Sequence, residues 1–193
     1  MASIWEDGIC QNMKIDKIII HHTAVSHRFQ ADQFNAVNEY HRQLWNFKSS
    51  LGFFGGYNYI ISASGEIKQY RADGEETAHT AGRNHDSLGI ALCGNFDIER
   101  PTIAQITALK DLLLKKMTEH SIVPDNIFTH RQYTNKSCPG WLWKNAEIRA
   151  LFQPDISYYQ NLLNSLKDML NKMKLSLGSS DDSKSCIGPE SRG

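Results

Sequence analysis

No window of the 193-residue sequence approaches the length of apolar chain that a membrane-spanning helix requires, so no membrane insertion is expected. The opening residues, "MASIWEDGICQNMK", lack the basic start and apolar run of a secretory leader, so the chain is expected to be made in a cytoplasm without a signal peptide. Charge of one sign is also missing. Lysine plus arginine and aspartate plus glutamate number 21 each, which leaves no basic field for nucleic acid or an anionic surface. Cysteine is sparse, and Cys10, Cys93, Cys138 and Cys186 are scattered without the dense spacing of a disulfide framework. Cys10, Cys93 and Cys186 are therefore expected as reduced thiols. Phosphate-binding glycine loops, CxxC and HExxH signatures and internal repeats are all absent.

Against these absences stand eight histidines in a chain of ordinary globular composition, 40% apolar and 22% charged. Two of them close the stretch "KIIIHHTA", residues 17 to 24. Lys17 to Ile20 read as a strand covered on both faces, so a buried strand delivers imidazole to a sheet edge. Residues 31 to 45 place Phe34, Val37, His41 and Leu44 on one helical stripe, which makes His41 a core-facing histidine. "GGYNYIIS" (55 to 62) reads as a strand, and a turn at Ser64-Gly65 leads to a second strand, together a hairpin. "SLGIALCGNF" (87 to 96) is another buried strand. "TIAQ" (102 to 105) is a capping box opening a helix with Ile103, Ile106, Leu109, Leu113 and Met117 inward. A short strand in "NIFTHRQY" and a helix over roughly 141 to 152 complete the pattern. Interleaved strands and helices with one hairpin predict an α/β domain, a central mixed sheet flanked by helices.

His130 ends that short strand, and Cys138 follows in a loop closed by Pro139 and Gly140. Two imidazoles, His21 and His130, with the Cys138 thiolate make a ligand set suited to zinc that leaves a fourth tetrahedral position open. An open position points to catalysis. By residue type alone, Tyr57 reads as a core tyrosine and Lys136 as a solvated loop lysine.

The ordered set "IIIHHTA", "GGYNYIIS", "AHTAGRNHDSLGIALCGNF" and "THRQYTNKSCPGWLW" resembles the type 2 zinc-dependent N-acetylmuramoyl-L-alanine amidases, particularly phage endolysins. It is also similar to the peptidoglycan recognition proteins that share this domain. The resemblance spans about residues 15 to 152. It implies one zinc per chain held by His21, His130 and Cys138, with His22 pointing elsewhere. It further implies Tyr57 and Lys136 as catalytic residues and a peptide groove lined by His79, Thr80 and Asn84. The implied substrate is bacterial peptidoglycan, reached after release through another factor. A non-catalytic binding module and a muropeptide-recycling amidase are the alternatives. Two departures are Asn58, where many phage enzymes carry histidine, and the longer "NFKSSLGFF" stretch before Gly55. His27, His85 and His120 are left as surface or structural residues.

Residues 1 to 154 are thus expected as the catalytic domain, and the character changes beyond Pro154. Ile156, Tyr159, Leu163, Leu166, Leu170, Met173 and Leu177 recur in alternating steps of three and four, a heptad seam over 155 to 177. Leu162 and Met169 widen this stripe, which suits either a homodimer through residues 156 to 177 or a helix lying on its own domain. Residues 178 to 193 are polar and predicted disordered.

Overall fold

The computed structural model describes residues 14–30, 32–151 and 156–178, with side chains of the last segment described at 163–174. The chain divides into two compact units, residues 1–152 and 153–193. The first is an α/β domain around a five-stranded mixed sheet of order β3-β2-β4-β1-β5. Its strands are β1 (Lys17–His22), β2 (Tyr59–Ile61), β3 (Ile67–Gln69), β4 (Ser87–Leu92) and β5 (Ile127–Thr129). β1 pairs in parallel with β4 and β5, β2 pairs in parallel with β4, and only the β2–β3 hairpin is antiparallel. That hairpin turns at Gly65, whose φ of 89° is open to glycine without the Cβ clash.

Alternation along the strands sends side chains to two layers. Ile18, Ile20, Leu88, Ile90 and Leu92 bury against Leu109, Leu112 and Leu113 of helix α2 (Ile103–His120) and against Ile148 of α3 (Asn145–Ala150). On the opposite face Ile60, Ala91 and Cys93 pack with Phe34 of α1 (Phe34–Trp45). The predicted capping box is present: Thr102 accepts from the Gln105 backbone, and the Gln105 side chain accepts from the Thr102 backbone. Gln105 is itself buried and donates to the Ile61 and Cys93 carbonyls, saturating the sheet where two strands end.

Leu109 and Leu113 face inward as expected and Met117 packs on the same core, so the departure from the expected stripe lies at the start of α2. Its buried line runs Gln105, Leu109, Leu112, Leu113 and Lys116, and Ile103 lies 85% exposed instead of facing inward. Leu44 is likewise 50% exposed and lines a cleft, although His41 on the same helix is buried as expected. Regular elements are shorter than the apolar patterns that announced them. β2 begins at Tyr59, because Gly55 and Gly56 are held by the side chains of Arg71 and His41 outside the sheet ladder, and β4 ends at Leu92. The helix expected over 141 to 152 spans 145 to 150, because the residues before it form a loop pinned to the turn after β4. β1 in contrast runs two residues further than its apolar stretch, through both histidines.

The second unit contains α4 (Ile156–Gly178), on which Leu163, Leu166 and Leu170 are exposed. Cys10, Cys186 and the segment 179 to 193 lie outside the described residues. Among the described residues, no helix is long and apolar enough to cross a membrane.

Candidate metal centre and cleft

Parallel strands place their C-terminal ends on one edge of a sheet, and loops from that edge build sites. Here β1 ends in His21 and His22, and β5 runs directly into a 3₁₀ turn, His130–Gln132. Because β1 and β5 are neighbours, the two histidines meet, with ring centroids of His21 and His130 4.5 Å apart. The third group arrives by loop. Cys138 Sγ lies 3.7 Å from His21 Nδ1, and ligand atoms of His21, His130 and Cys138 all fall within 4.8 Å of one another. Two imidazoles and a thiolate converging at this spacing fit a tetrahedral zinc ion with one position left over. His22 faces the other side of β1, as alternation requires. Its Nδ1 accepts from the Phe96 backbone, and its own N–H points at Cys138 Sγ from 3.4 Å.

Burial governs the protonation of all three side chains, and the histidines match what a metal would require. Burial lowers the His21 pKa well below its ordinary value, and the neighbouring imidazoles His79 and His130 act in the same direction. His130 is lowered by burial and then by the Lys136 ammonium. Both are neutral at pH 7 and present lone pairs. Cys138 is the opposite case, since burial pushes its thiol up to about 12 against the His22 N–H, Arg131 and Lys136. Metal would have to displace that proton.

The centre sits at the floor of a cleft of about 840 Å³. Tyr40, Leu44 and Trp45 of α1 form an apolar wall, and Thr134, Lys136 and Ser137 form a polar one. Tyr57 lines the cleft with its ring 5.2 Å from His21, and burial raises its phenol well above the ordinary range, so it is a neutral O–H donor. Lys136 is exposed on the polar wall. His79, Thr80 and Asn84 line the cleft too, but the His79 ring, the Thr80 hydroxyl and Asn84 Oδ1 already have partners. Asn84 Oδ1 accepts from the backbone N–H of both His79 and Thr80. His79 Nδ1 lies 3.1 Å from His21 Nε2. His27 and His120 are structural, against Glu99 and Asp73 respectively, and His85 is exposed.

Asp97 and Arg71, which sequence reasoning did not single out, shape the site together with Gly140 and His41. Asp97 accepts from Ser137 Oγ (2.7 Å) and from the Trp141 backbone (3.0 Å), gripping the Cys138 loop on both sides. Gly140 in that loop has φ 110°, and a side chain there would run into the Phe96–Asp97 backbone. Arg71, fully buried, donates to the carbonyls of Gly55, Glu76 and Phe47, tying the "NFKSSLGFF" loop to the segment before His79. His41 Nδ1 accepts from Gly56 N–H at 2.9 Å, which fixes the residue before Tyr57. Asp and Arg acting through backbone groups leave no spacing signature, and only the buried stripe containing His41 hinted at its place.

Comparison with known proteins agrees with this geometry. A peptidoglycan-recognition protein, SC2, of Drosophila melanogaster is 34% identical over 139 residues, 68% of this chain and 71% of that protein. A human N-acetylmuramoyl-L-alanine amidase is 30% identical over 87 residues, 44% of this chain but 15% of the longer protein. Among solved structures, the N-acetylmuramoyl-L-alanine amidase LysC from Clostridium intestinale URNW superposes with a TM-score of 0.61 at 27% identity, covering 78% of this chain and 93% of that one. The sequence profile described as N-acetylmuramoyl-L-alanine amidase matches residues 11–141, the span that carries His21, His130 and Cys138, and the chain belongs to that family.

Proposed function

We propose that this protein is a zinc-dependent hydrolase of bacterial peptidoglycan that cuts the amide between the lactyl carboxyl of N-acetylmuramic acid and L-alanine, acting as a phage-type endolysin. The observation that carries the reading is the convergence of His21, His130 and Cys138 within 4.8 Å on the floor of an open cleft. Bound there, zinc would supply Lewis-acid activation of water and of the scissile carbonyl.

The chain's own groups do the remainder. Lys136 carries a positive charge on the polar wall, where it can stabilise the negative charge developing on the carbonyl oxygen. Tyr57, neutral and beside His21, donates a hydrogen bond that orients the attacking water or the leaving amine. A phenol held in its protonated form is not a resting-state base. The apolar wall of Tyr40, Leu44 and Trp45 excludes water from one side of the substrate.

Likeness to SC2, a protein named for recognition, favours a second reading in which the cleft binds peptidoglycan without cleaving it. Cys138 argues against it, since a pure binding module has no use for a buried thiol facing two neutral imidazoles. Lysis assays on sacculi separate the two: activity should vanish on chelation and return with zinc, whereas a binding module would be inert throughout. The account also includes one zinc per chain, access to the wall through another factor, and a homodimer mediated by the heptad seam of residues 156 to 177.

A further inference from the structure

His79 has a place in the fold that a groove-lining role does not explain. It is 7% exposed, and its ring lies over β4 at Gly89, where any side chain would overlap it. Ser87, Gly89 and Ala91 follow one another on this face of β4, and a glycine in the middle of a fully buried strand costs stability unless something else fills the space. The His79 imidazole fills it.

The far end of this network favours one set of hydrogen-bond directions. Ser87 Oγ–H is donated to the Arg83 carbonyl, so Ser87 Oγ presents lone pairs to His79 Nε2 at 3.5 Å. With Nε2 carrying the ring's hydrogen, His79 Nδ1 is an acceptor. It lies 3.0 Å from Thr80 Oγ1 and 3.1 Å from His21 Nε2, and Thr80 Oγ1 is itself 3.3 Å from the same His21 nitrogen. His21 Nε2–H therefore points into a pair of acceptors. Its Nδ1 lone pair is left facing Cys138.

From this arrangement we infer that His79, seated on Gly89 and assisted by Thr80, is a positioning residue for the metal centre: it accepts the Nε2 hydrogen of His21, fixes that ring's tautomer and aims Nδ1 at the metal position. A ligating histidine whose second nitrogen has a fixed partner loses less freedom on binding and is a better donor. The inference rests on the zinc reading of the site but not on amide hydrolysis.

The test measures zinc affinity by chelator competition on the full chain, with the visible spectrum of the cobalt-substituted protein as a second readout of ligand geometry. His79→Ala should lose affinity by about 10- to 100-fold, the usual effect of removing a hydrogen-bond partner of a ligating histidine. Gly89→Ala, which keeps His79 but displaces its ring, should weaken zinc in the same direction. His79→Asn, whose amide oxygen can stand in for Nδ1, should recover most of the loss. Binding of a soluble N-acetylmuramoyl-tripeptide to the metal-free protein is measured beside it. Zinc affinity of a folded His79→Ala protein within about twofold of the parent would overturn the inference. So would a loss confined to tripeptide binding, and so would a parent that takes up no zinc. Shifted zinc affinity in a protein that cleaves nothing would instead leave the inference standing and defeat the proposed hydrolysis.

Discussion

His21 Nδ1 and Cys138 Sγ lie 3.7 Å apart although 117 positions separate them in the chain. The sheet edge supplies one and a loop gripped by Asp97 supplies the other, so the centre depends on two separate parts of the domain. Their juxtaposition separates the groups proposed to hold metal from those proposed to act on substrate.

That division is testable by substitution. Cys138→Ala should lose zinc. Tyr57→Phe and Lys136→Ala should keep zinc and fold, yet fall in rate by roughly a hundredfold or more, the scale of a lost proton-transfer or oxyanion group. Metal analysis and initial rates on the same preparations check this, and near-normal rates in both variants would remove their catalytic assignment.

The Cys138 loop should respond to its clamp. Asp97→Ala frees Ser137 Oγ and the Trp141 N–H at once, and the expected result is an intact fold with zinc affinity reduced by about tenfold or more. Competition titration against a chelator measures it, and an unchanged affinity would show that the remaining loop contacts suffice.

Zinc binding should release a proton. The Cys138 thiol stands at about 12 in the metal-free protein while both ligand histidines are lowered and neutral at pH 7. Affinity should therefore rise by about tenfold per pH unit between roughly pH 7 and 8, the slope for one displaced proton. Calorimetry in buffers of different ionisation enthalpy counts that proton, and a count of zero would contradict the buried-thiol picture.

Acid should destabilise the metal-free domain through its buried histidines. Burial, opposed by Asp97 and reinforced by Arg131, takes His22 from 6.5 down to about 4, and burial with the Arg71 charge does the same to His41. Between those values the unfolded chain binds protons that the folded chain refuses, so stability is lost as pH falls from about 6.5 to 4 and is level above 7. Denaturant midpoints across this range should drop accordingly, and a flat profile would mean these rings find compensation on protonation.

The proposed dimer rests on α4, where Leu163, Leu166 and Leu170 are exposed along one heptad seam. Sedimentation of the full chain against one ending at Gln153 should show a dimer and a monomer at micromolar concentration. Two monomers would remove self-association from the account.

Much of this was legible in the residues. The hairpin at Ser64-Gly65, the capping box at Thr102 and the order of strands and helices follow from local rules, because each depends on neighbours in sequence. The convergence of His21, His130 and Cys138 was readable because few residue types suit zinc. The outward turn of Ile103 was not, because it follows from Gln105 reaching two sheet carbonyls, a tertiary contact that overrides the apolar periodicity. Nor was the engagement of Asn84 and His79 with the backbone and with His21, which turns on atom-level pairing instead of residue type. Asp97 and Arg71 were silent for the same reason.

The central claim is hydrolysis of one particular bond, and mass spectrometry of sacculi digested by the zinc-loaded protein, beside Cys138→Ala, tests it most directly. The account predicts free muramic-acid lactyl carboxyls and new L-alanine N-termini with the parent and neither with the variant. Sacculi that bind the zinc-loaded parent yet retain every lactyl amide would contradict it.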